Sequence, residues 1–224
     1  MIYYREDSKQ VEFTPITKPV AEGEQGYIYK LNNTKCIKMY KDGMPTIDPK
    51  IFKLYQDLSL EGYSRLHELW YRDSKLQEVG AYIMDFYKSD ADNILFMPVD
   101  YTIENLNILY NSVKILSEYR VLVRDLIPQN AILSSDKITV VDYDSSINST
   151  RNIKVIENHN INCLMILFRK IYNEGFRKLA IKIDNNQGLQ NYINHLFLNT
   201  DEPIKKLQKK MKKGRPIDYL YKGC

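Results

Sequence analysis

Val121-Leu122-Val123-Arg124-Asp125-Leu126-Ile127-Pro128-Gln129-Asn130-Ala131-Ile132-Leu133, followed after Ser134 to Ile138 by Thr139-Val140-Val141-Asp142-Tyr143-Asp144, is the stretch on which the reading of the fold turns. An apolar run enters Arg-Asp, Pro128 makes a turn, and Asn130 stands five residues after Asp125. Two short strands, around Ile132 to Leu133 and Ile138 to Val141, are interrupted by SSDK. Asp142 closes the second of them, where a carboxylate at a strand end can reach a hard cation that prefers oxygen ligands.

Working back toward the N-terminus, Ile103, Leu106, Leu109, Val113 and Leu116 recur at helical spacing and predict a long helix feeding this loop. Before it lie the polar connector KSDADN and a short apolar strand, Ala81 to Phe86. Asp48 and Pro49 form a helix-start signal. Ile51, Leu54, Leu58, Leu66 and Leu69 then predict one long helix, or two joined near Gly62. The first forty residues read as an antiparallel meander: Val11 to Pro15, Pro19 to Ala21, Tyr27 to Leu31 and Lys35 to Tyr40. From Ile153 onward the pattern is helical to the end of the chain.

Two features of the meander carry chemistry. Val20 to Tyr29 forms two strands joined by a turn with Gly23 and Gly26 at its tip. Bare backbone N–H groups there can close over a polyphosphate, with Val20 and Ile28 covering a flat base; a plain hairpin is the alternative. On the last strand, period-two alternation places Cys36 and Lys38 on one face and Ile37 on the other. A lysine on such a face needs an anionic partner. Glu61, on the stripe of Ile51, Leu54 and Leu58, is the first candidate, and Glu68 is its competitor.

Taken in order, these segments resemble the eukaryotic-like protein kinase superfamily: glycine-rich loop, strand lysine, helix glutamate, RD-x4-N catalytic loop and DFG-type metal-binding loop. The resemblance runs from about Val20 to Phe168. It implies a bilobal α+β fold, with a β-rich small lobe at 1–87 carrying one long helix and a reduced helical lobe at 88–224. It also implies ATP and Mg²⁺ in the cleft between them. By it, Lys38 would hold the α- and β-phosphates, Glu61 would pair with Lys38, and Asp125 would orient or deprotonate the attacking hydroxyl. Asn130 and Asp142 would bind Mg²⁺. Met84 would be the gatekeeper, with the backbone of Asp85 and Tyr87 meeting adenine between Cys36 and Ile132. The activity implied is that of a small, divergent serine/threonine-type protein kinase.

Several positions depart from that pattern. Ala21 replaces the first loop glycine, Val123 the histidine of HRD, Ile127 the catalytic-loop lysine, and the metal loop reads Asp142-Tyr143-Asp144. Losing a lysine at 127 removes a positive charge that would face the transferring phosphate. Only 15 residues separate Asp144 from Asn160, which aligns with the aspartate opening the F helix, and no APE motif is present. A peptide-docking segment of ordinary length does not fit there. Two other readings stay open: a nucleotide-binding regulatory module without catalysis, and a small-molecule kinase of the aminoglycoside or choline type.

Composition sets the outer bounds. A chain of 224 residues with 44% hydrophobic and 27% charged residues is globular in character, and a domain of that size buries roughly 70% of its unfolded surface. The longest apolar run, Cys163 to Phe168, is too short to span a membrane, and the start MIYYREDSKQ lacks a signal-peptide core. Three scattered cysteines predict neither zinc nor disulfides and suit the reducing cytoplasm. Residues 203–224 hold eight Lys and Arg against Asp218, so the rest of the chain is net acidic although the whole carries +4. That stretch reads either as the solvated face of a helix docked through Ile204, Leu207 and Met211, or as a surface for a polyanion or acidic partner. His67, His159 and His195 have no ligand-spaced partner and read as structural, and Trp70 and the 18 tyrosines read as packing.

Overall fold

A computed structural model describes residues 1–88, 99–134, 137–164 and 166–167. The basic stretch 203–224, His195 and the expected helices beyond 167 lie outside the described residues.

A seven-stranded, wholly antiparallel sheet fills the N-terminal part. Its strands are β1 (Ile2–Arg5), β2 (Gln10–Glu12), β3 (Ala21–Glu22), β4 (Gly26–Lys30), β5 (Lys35–Tyr40), β6 (Leu66–Tyr71) and β7 (Val79–Asp85), in the order β2-β1-β6-β7-β5-β4-β3. Strand β5 sorts its side chains by parity, as its alternation requires. Ile37 and Met39 pack with Tyr3, Trp70, Ala81 and Ile83 on one face, while Cys36 and Tyr40 enter the main core on the other.

Helix α1 (Pro49–Leu58) begins where its cap dictates: the Asp48 carboxylate accepts the Lys50 N–H at 2.7 Å, and Pro49 occupies the first turn. It buries Ile51, Phe52 and Tyr55 and stops at Ser59, whose left-handed backbone donates its N–H to the Tyr55 carbonyl. The expected continuation of the helix past Gly62 is therefore wrong. Gly62 has φ +77°, and a Cβ there would stand 2.7 Å from Leu109 Cδ2, so this turn needs glycine twice over. Leu66 and Leu69 belong to strand β6. Their three-residue spacing imitates a helix because the pairing of β6 with β7 shifts register between Leu66 and Glu68, which turns both leucines inward.

The second part is built on α2 (Val99–Glu118), which buries Leu106, Leu109, Val113 and Leu116 as its periodicity required; the Ile103 side chain lies outside the described residues. Strand β8 (Val121–Leu122) pairs with β11 (Ile147–Asn148), and β9 (Ala131–Leu133) pairs with β10 (Ile138–Val140). A third helix, α3, covers 153–164 and 166–167 and contributes Ile156, Leu164 and Leu167 to the interior. Residues 62–64 join the two parts: the Val140 N–H donates to the Gly62 carbonyl at 2.9 Å, and the Ser64 N–H donates to the Val140 carbonyl at 2.8 Å. Tyr143 inserts at that junction against Tyr55 and Tyr63, with its hydroxyl donating to the Ser64 carbonyl. One continuous core thus runs from Cys36 to Leu167. The architecture is α+β, a large antiparallel sheet followed by a mainly helical part, with a short helix α1 in place of the long one expected. Among the described residues no helix is long and apolar enough to cross a membrane.

Candidate active site

Strand β5 and the loop after β10 meet in a buried ionic cluster. Lys38 Nζ donates to Asp142 Oδ2 at 2.9 Å and to Asp144 Oδ2 at 2.6 Å. The Tyr40 hydroxyl donates to Asp144 Oδ1 at 2.8 Å and accepts the Ile47 N–H at 2.9 Å. The Asp144 N–H closes the ring onto Asp142 Oδ1 at 3.1 Å. Lys38 is 6% exposed, and the side chains of Asp142 and Asp144 are 27% and 2% exposed. Burial alone would lower the Lys38 pKa, but the Asp144 and Asp142 carboxylates outweigh it and raise the value. Burial pushes the Asp144 carboxyl up, against the pull of Lys38. The buried Tyr82 ring lies beside this cluster, and its hydroxyl has no hydrogen-bond partner among the described residues.

The lysine's partner differs from the one expected. Glu61 lies beyond the end of α1 and is exposed, and Glu68 turns to Arg5 at 3.3 Å and to the Trp70 indole N–H at 3.1 Å. Neither carboxylate reaches Lys38. Asp144 takes that place, at the position where a glycine was expected. Its signal in the sequence was a second acid two residues after Asp142.

The loop 123–130 is fixed through its backbone. The Val123 N–H donates to Asn160 Oδ1 at 2.9 Å, and the Val123 carbonyl accepts from His159 Nε2 at 3.0 Å. Asn160 Nδ2 donates to the Val121 carbonyl at 2.8 Å and to Ser117 Oγ at 2.9 Å. Asn160 lies well inside α3 rather than opening it, and His159 has a specific anchoring role. Asp125 is exposed at the loop tip, where its carbonyl accepts from the Ile127 N–H at 2.9 Å and from Asn130 Nδ2 at 3.1 Å. The Asn130 carbonyl takes the Val141 N–H at 2.9 Å, tying this loop to the one that carries Asp142.

Two observations bear on a cation here. One lysine faces two carboxylates, which leaves a net negative charge in a poorly solvated site. With Nδ2 committed to Asp125, the Asn130 amide keeps its oxygen as an acceptor, and Asp142 is the less buried of the two acids. Asn130 and Asp142 therefore suit a hard, oxygen-seeking ion such as Mg²⁺. Among the described residues no group of three or more His, Cys, Asp and Glu is gathered for a metal, so phosphate or water oxygens would complete the shell.

Next to β5 in the sheet, β3 and β4 form the glycine hairpin, closed by the Gly23 N–H donating to the Gly26 carbonyl at 2.9 Å. Lys41 Nζ braces it from Glu22 Oε1 at 2.8 Å and the Gly23 carbonyl at 3.0 Å. The two glycines differ in kind. A Cβ on Gly26 would stand 2.3 Å from the Met39 carbonyl oxygen, whereas a Cβ on Gly23 would meet nothing within 4 Å. Gly26→Ala is expected to cost about 1–3 kcal/mol in urea unfolding, and Gly23→Ala is expected to leave stability unchanged.

Cys36 and Met84 are cross-strand partners and both are buried; Ile28 and Ile132 are half-buried, and Val20 is exposed. The Asp85 N–H is committed to the Arg65 carbonyl at 3.0 Å. The Asp85 carbonyl accepts Ser64 Oγ at 3.2 Å and the Cys36 thiol at 3.6 Å. The Asp85 carboxylate is held by His67 Nε2 at 2.6 Å and by the Tyr87 hydroxyl at 3.4 Å. Burial raises the Cys36 pKa to about 12. In the folded protein at pH 8 Cys36 is expected to resist N-ethylmaleimide and to react once urea unfolds the chain, as peptide mass spectrometry would read. A cavity of about 230 Å³ lined by Arg5, Phe52, Gln56 and His67 lies away from Lys38, on the side of α1 and β6.

No protein-family model and no curated protein matches the sequence. Among solved structures the chain is similar to the Cydia pomonella granulovirus kinase PK-1 at 16% identity and a TM-score of 0.47. That match covers 60% of this chain and spans about half, 55%, of the other.

Proposed function

We propose that the chain is an ATP- and Mg²⁺-dependent phosphotransferase acting on a hydroxyl group, of the serine/threonine protein kinase type, with lobes at 1–87 and 88–224 and a cytoplasmic setting. The observation that carries the reading is the ion pair of Lys38 with Asp142. It joins the strand after a glycine hairpin to a loop whose neighbour presents Asp125 and Asn130. In this reading Lys38 grips phosphate oxygens, Gly23 and Gly26 let the hairpin backbone approach them, and Asn130 and Asp142 hold Mg²⁺. Bound Mg²⁺ would neutralise charge on the phosphate oxygens. Asp125, exposed at the loop tip, orients the acceptor hydroxyl and takes its proton as the hydroxyl oxygen bonds to phosphorus and the nucleoside diphosphate leaves. Cys36, Met84, Ile132, Val20 and Ile28 enclose the base, with backbone contacts from Asp85 and Tyr87.

The pairing of Lys38 with two carboxylates favours one rival, a module that binds nucleotide and regulates a partner without transferring phosphate. Thermal unfolding with ATP, with and without MgCl₂, together with transfer of labelled phosphate to proteins and metabolites of a lysate, tests both. The melting temperature should rise with ATP only when Mg²⁺ is present. Asp142→Asn should remove that rise at the MgCl₂ concentration that suffices for the wild type, and Asp125→Asn should keep it while losing transfer. Retention of the Mg²⁺-dependent shift in Asp142→Asn would remove the cleft assignment, and binding without transfer in the wild type would leave the regulatory reading. Whether the basic stretch 203–224 binds a polyanion or is only a solvated face is read from the salt dependence of RNA binding.

A further inference from the structure

We infer that Asp144 is a positioning residue, the standing counter-ion that aims Lys38 into the cleft in place of a carboxylate from α1. The inference rests on the proposed reading that Lys38 meets nucleotide phosphate.

Helix α1 has no acid to offer. Its inward residues are Ile51, Phe52 and Tyr55, and its one acid, Asp57, is exposed and paired with Lys53 at 3.0 Å. A buried ammonium without a partner is costly, so another element must supply the charge. Asp142 and Asp144 both touch Lys38, but they are not equivalent. Asp144 is nearly sealed, and both of its oxygens are taken, Oδ2 by Lys38 and Oδ1 by the Tyr40 hydroxyl. Tyr40 is itself locked by the Ile47 N–H, on the segment that leads into α1. Asp142 is the more exposed acid and directly follows Val141, whose N–H the Asn130 carbonyl accepts. Asp142 can therefore turn to a cation while Lys38 keeps one full counter-charge. The ammonium has three protons, and two go to the carboxylates, so the third remains for a phosphate oxygen. Tyr40 and Asp144 thus do from the sheet and the metal loop what a helix acid would otherwise do.

The test uses the full chain and two readouts. The first needs no nucleotide: acetylation of Lys38 by acetic anhydride, measured by peptide mass spectrometry against exposed Lys50. The second is the affinity for ATP across an MgCl₂ titration. Asp144→Asn is expected to speed Lys38 acetylation and weaken ATP binding, each about tenfold, as loss of a charge-assisted hydrogen bond would. The half-saturating Mg²⁺ concentration should not move. Asp142→Asn is expected to show the reverse, with slow acetylation and a raised Mg²⁺ requirement. Tyr40→Phe, which frees one Asp144 oxygen and deletes no charge, should give a smaller change in the same direction as Asp144→Asn. It decides the matter if Asp144→Asn does not fold. Wild-type acetylation rates in both variants, or a Mg²⁺ shift in Asp144→Asn equal to that of Asp142→Asn, would overturn the inference. If the wild type binds no nucleotide, the proposed function fails while the acetylation readout still reports whether Asp144 holds Lys38.

Discussion

Lys38→Met is expected to destabilise the folded chain by about 3–5 kcal/mol, the cost of breaking a buried ionic group by removing one partner. The methionine fills the space of the lysine stem, so packing is largely kept and the loss is electrostatic. What remains is Asp142 and Asp144 facing each other beside the buried rings of Tyr40 and Tyr82, with no cation between them. Adding Asp144→Asn should return most of the loss, because it removes the more buried of the two charges. Urea unfolding of both single variants and the double variant forms the cycle that measures the coupling.

The pH dependence has a definite sign. The folded pKa of Asp144 lies above its ordinary value of 3.8 because burial disfavours the charged form. Its contribution to stability is therefore full below that ordinary value and is lost as pH rises through the folded one. In the wild type Lys38 opposes this loss, and in Lys38→Met only the Tyr40 hydroxyl still does, so that variant should be more stable at pH 5 than at pH 8. Lys38 behaves in the same sense at the other end of the scale. Its pKa is raised, so its contribution persists below the ordinary lysine value of 10.5 and fades as pH rises through the folded value. A Lys38→Met protein equally stable at both pH values would mean that Asp144 is better solvated than its 2% exposure implies.

The strand of Lys38, the cap of α1, the buried stripe of α2 and the β9–β10 pair were all legible, because each rests on local chemistry or on a period spanning few residues. Strand β6 was not. A bulge breaks the two-residue alternation of Leu66-His67-Glu68-Leu69 and leaves a spacing indistinguishable from a helical one. The expectation for Glu61 falls with it, since α1 ends at Leu58 and the helix face that would turn Glu61 inward does not exist. The true partners of Lys38 lie 104 and 106 residues away in sequence. Periodicity tells which face a lysine occupies; the acid that meets it across the cleft depends on tertiary packing. The loop from Val123 to Asn130 was readable because its order of residue types is dense, and Asp144 was visible only as a departure from that order. Strand β1 gave no signal of its own, since Ile2-Tyr3-Tyr4-Arg5 buries little beyond Tyr3.

Asn160→Ala is the second change expected to have a large effect, about 3–5 kcal/mol. Asn160 is 0% exposed and is the point at which α2, α3 and the loop bearing Asp125 converge. Alanine would strand the Val123 N–H and the Val121 carbonyl in the interior and leave a small cavity, and each unmet buried group costs about 1–3 kcal/mol. Asn160→Asp separates the two halves of that role. An aspartate can still accept the Val123 N–H, but it has no donor for the Val121 carbonyl. Nor can Ser117 rescue it easily, because the Ser117 hydroxyl already donates to the Val113 carbonyl at 2.6 Å. Asn160→Asp should therefore be destabilised at neutral pH and regain part of the loss on acidification, when the protonated acid can donate again. His159 and Cys163 would still hold the Val123 carbonyl from the same helix, so the loop should loosen rather than detach. Under the proposed function, phosphate transfer in Asn160→Asp should then fall more than ATP affinity, because Asp125 hangs from this loop while Lys38 and Asp142 do not. Equal losses of the two, or a fully stable Asn160→Asp, would show that the loop is held by its apolar packing and not by the amide.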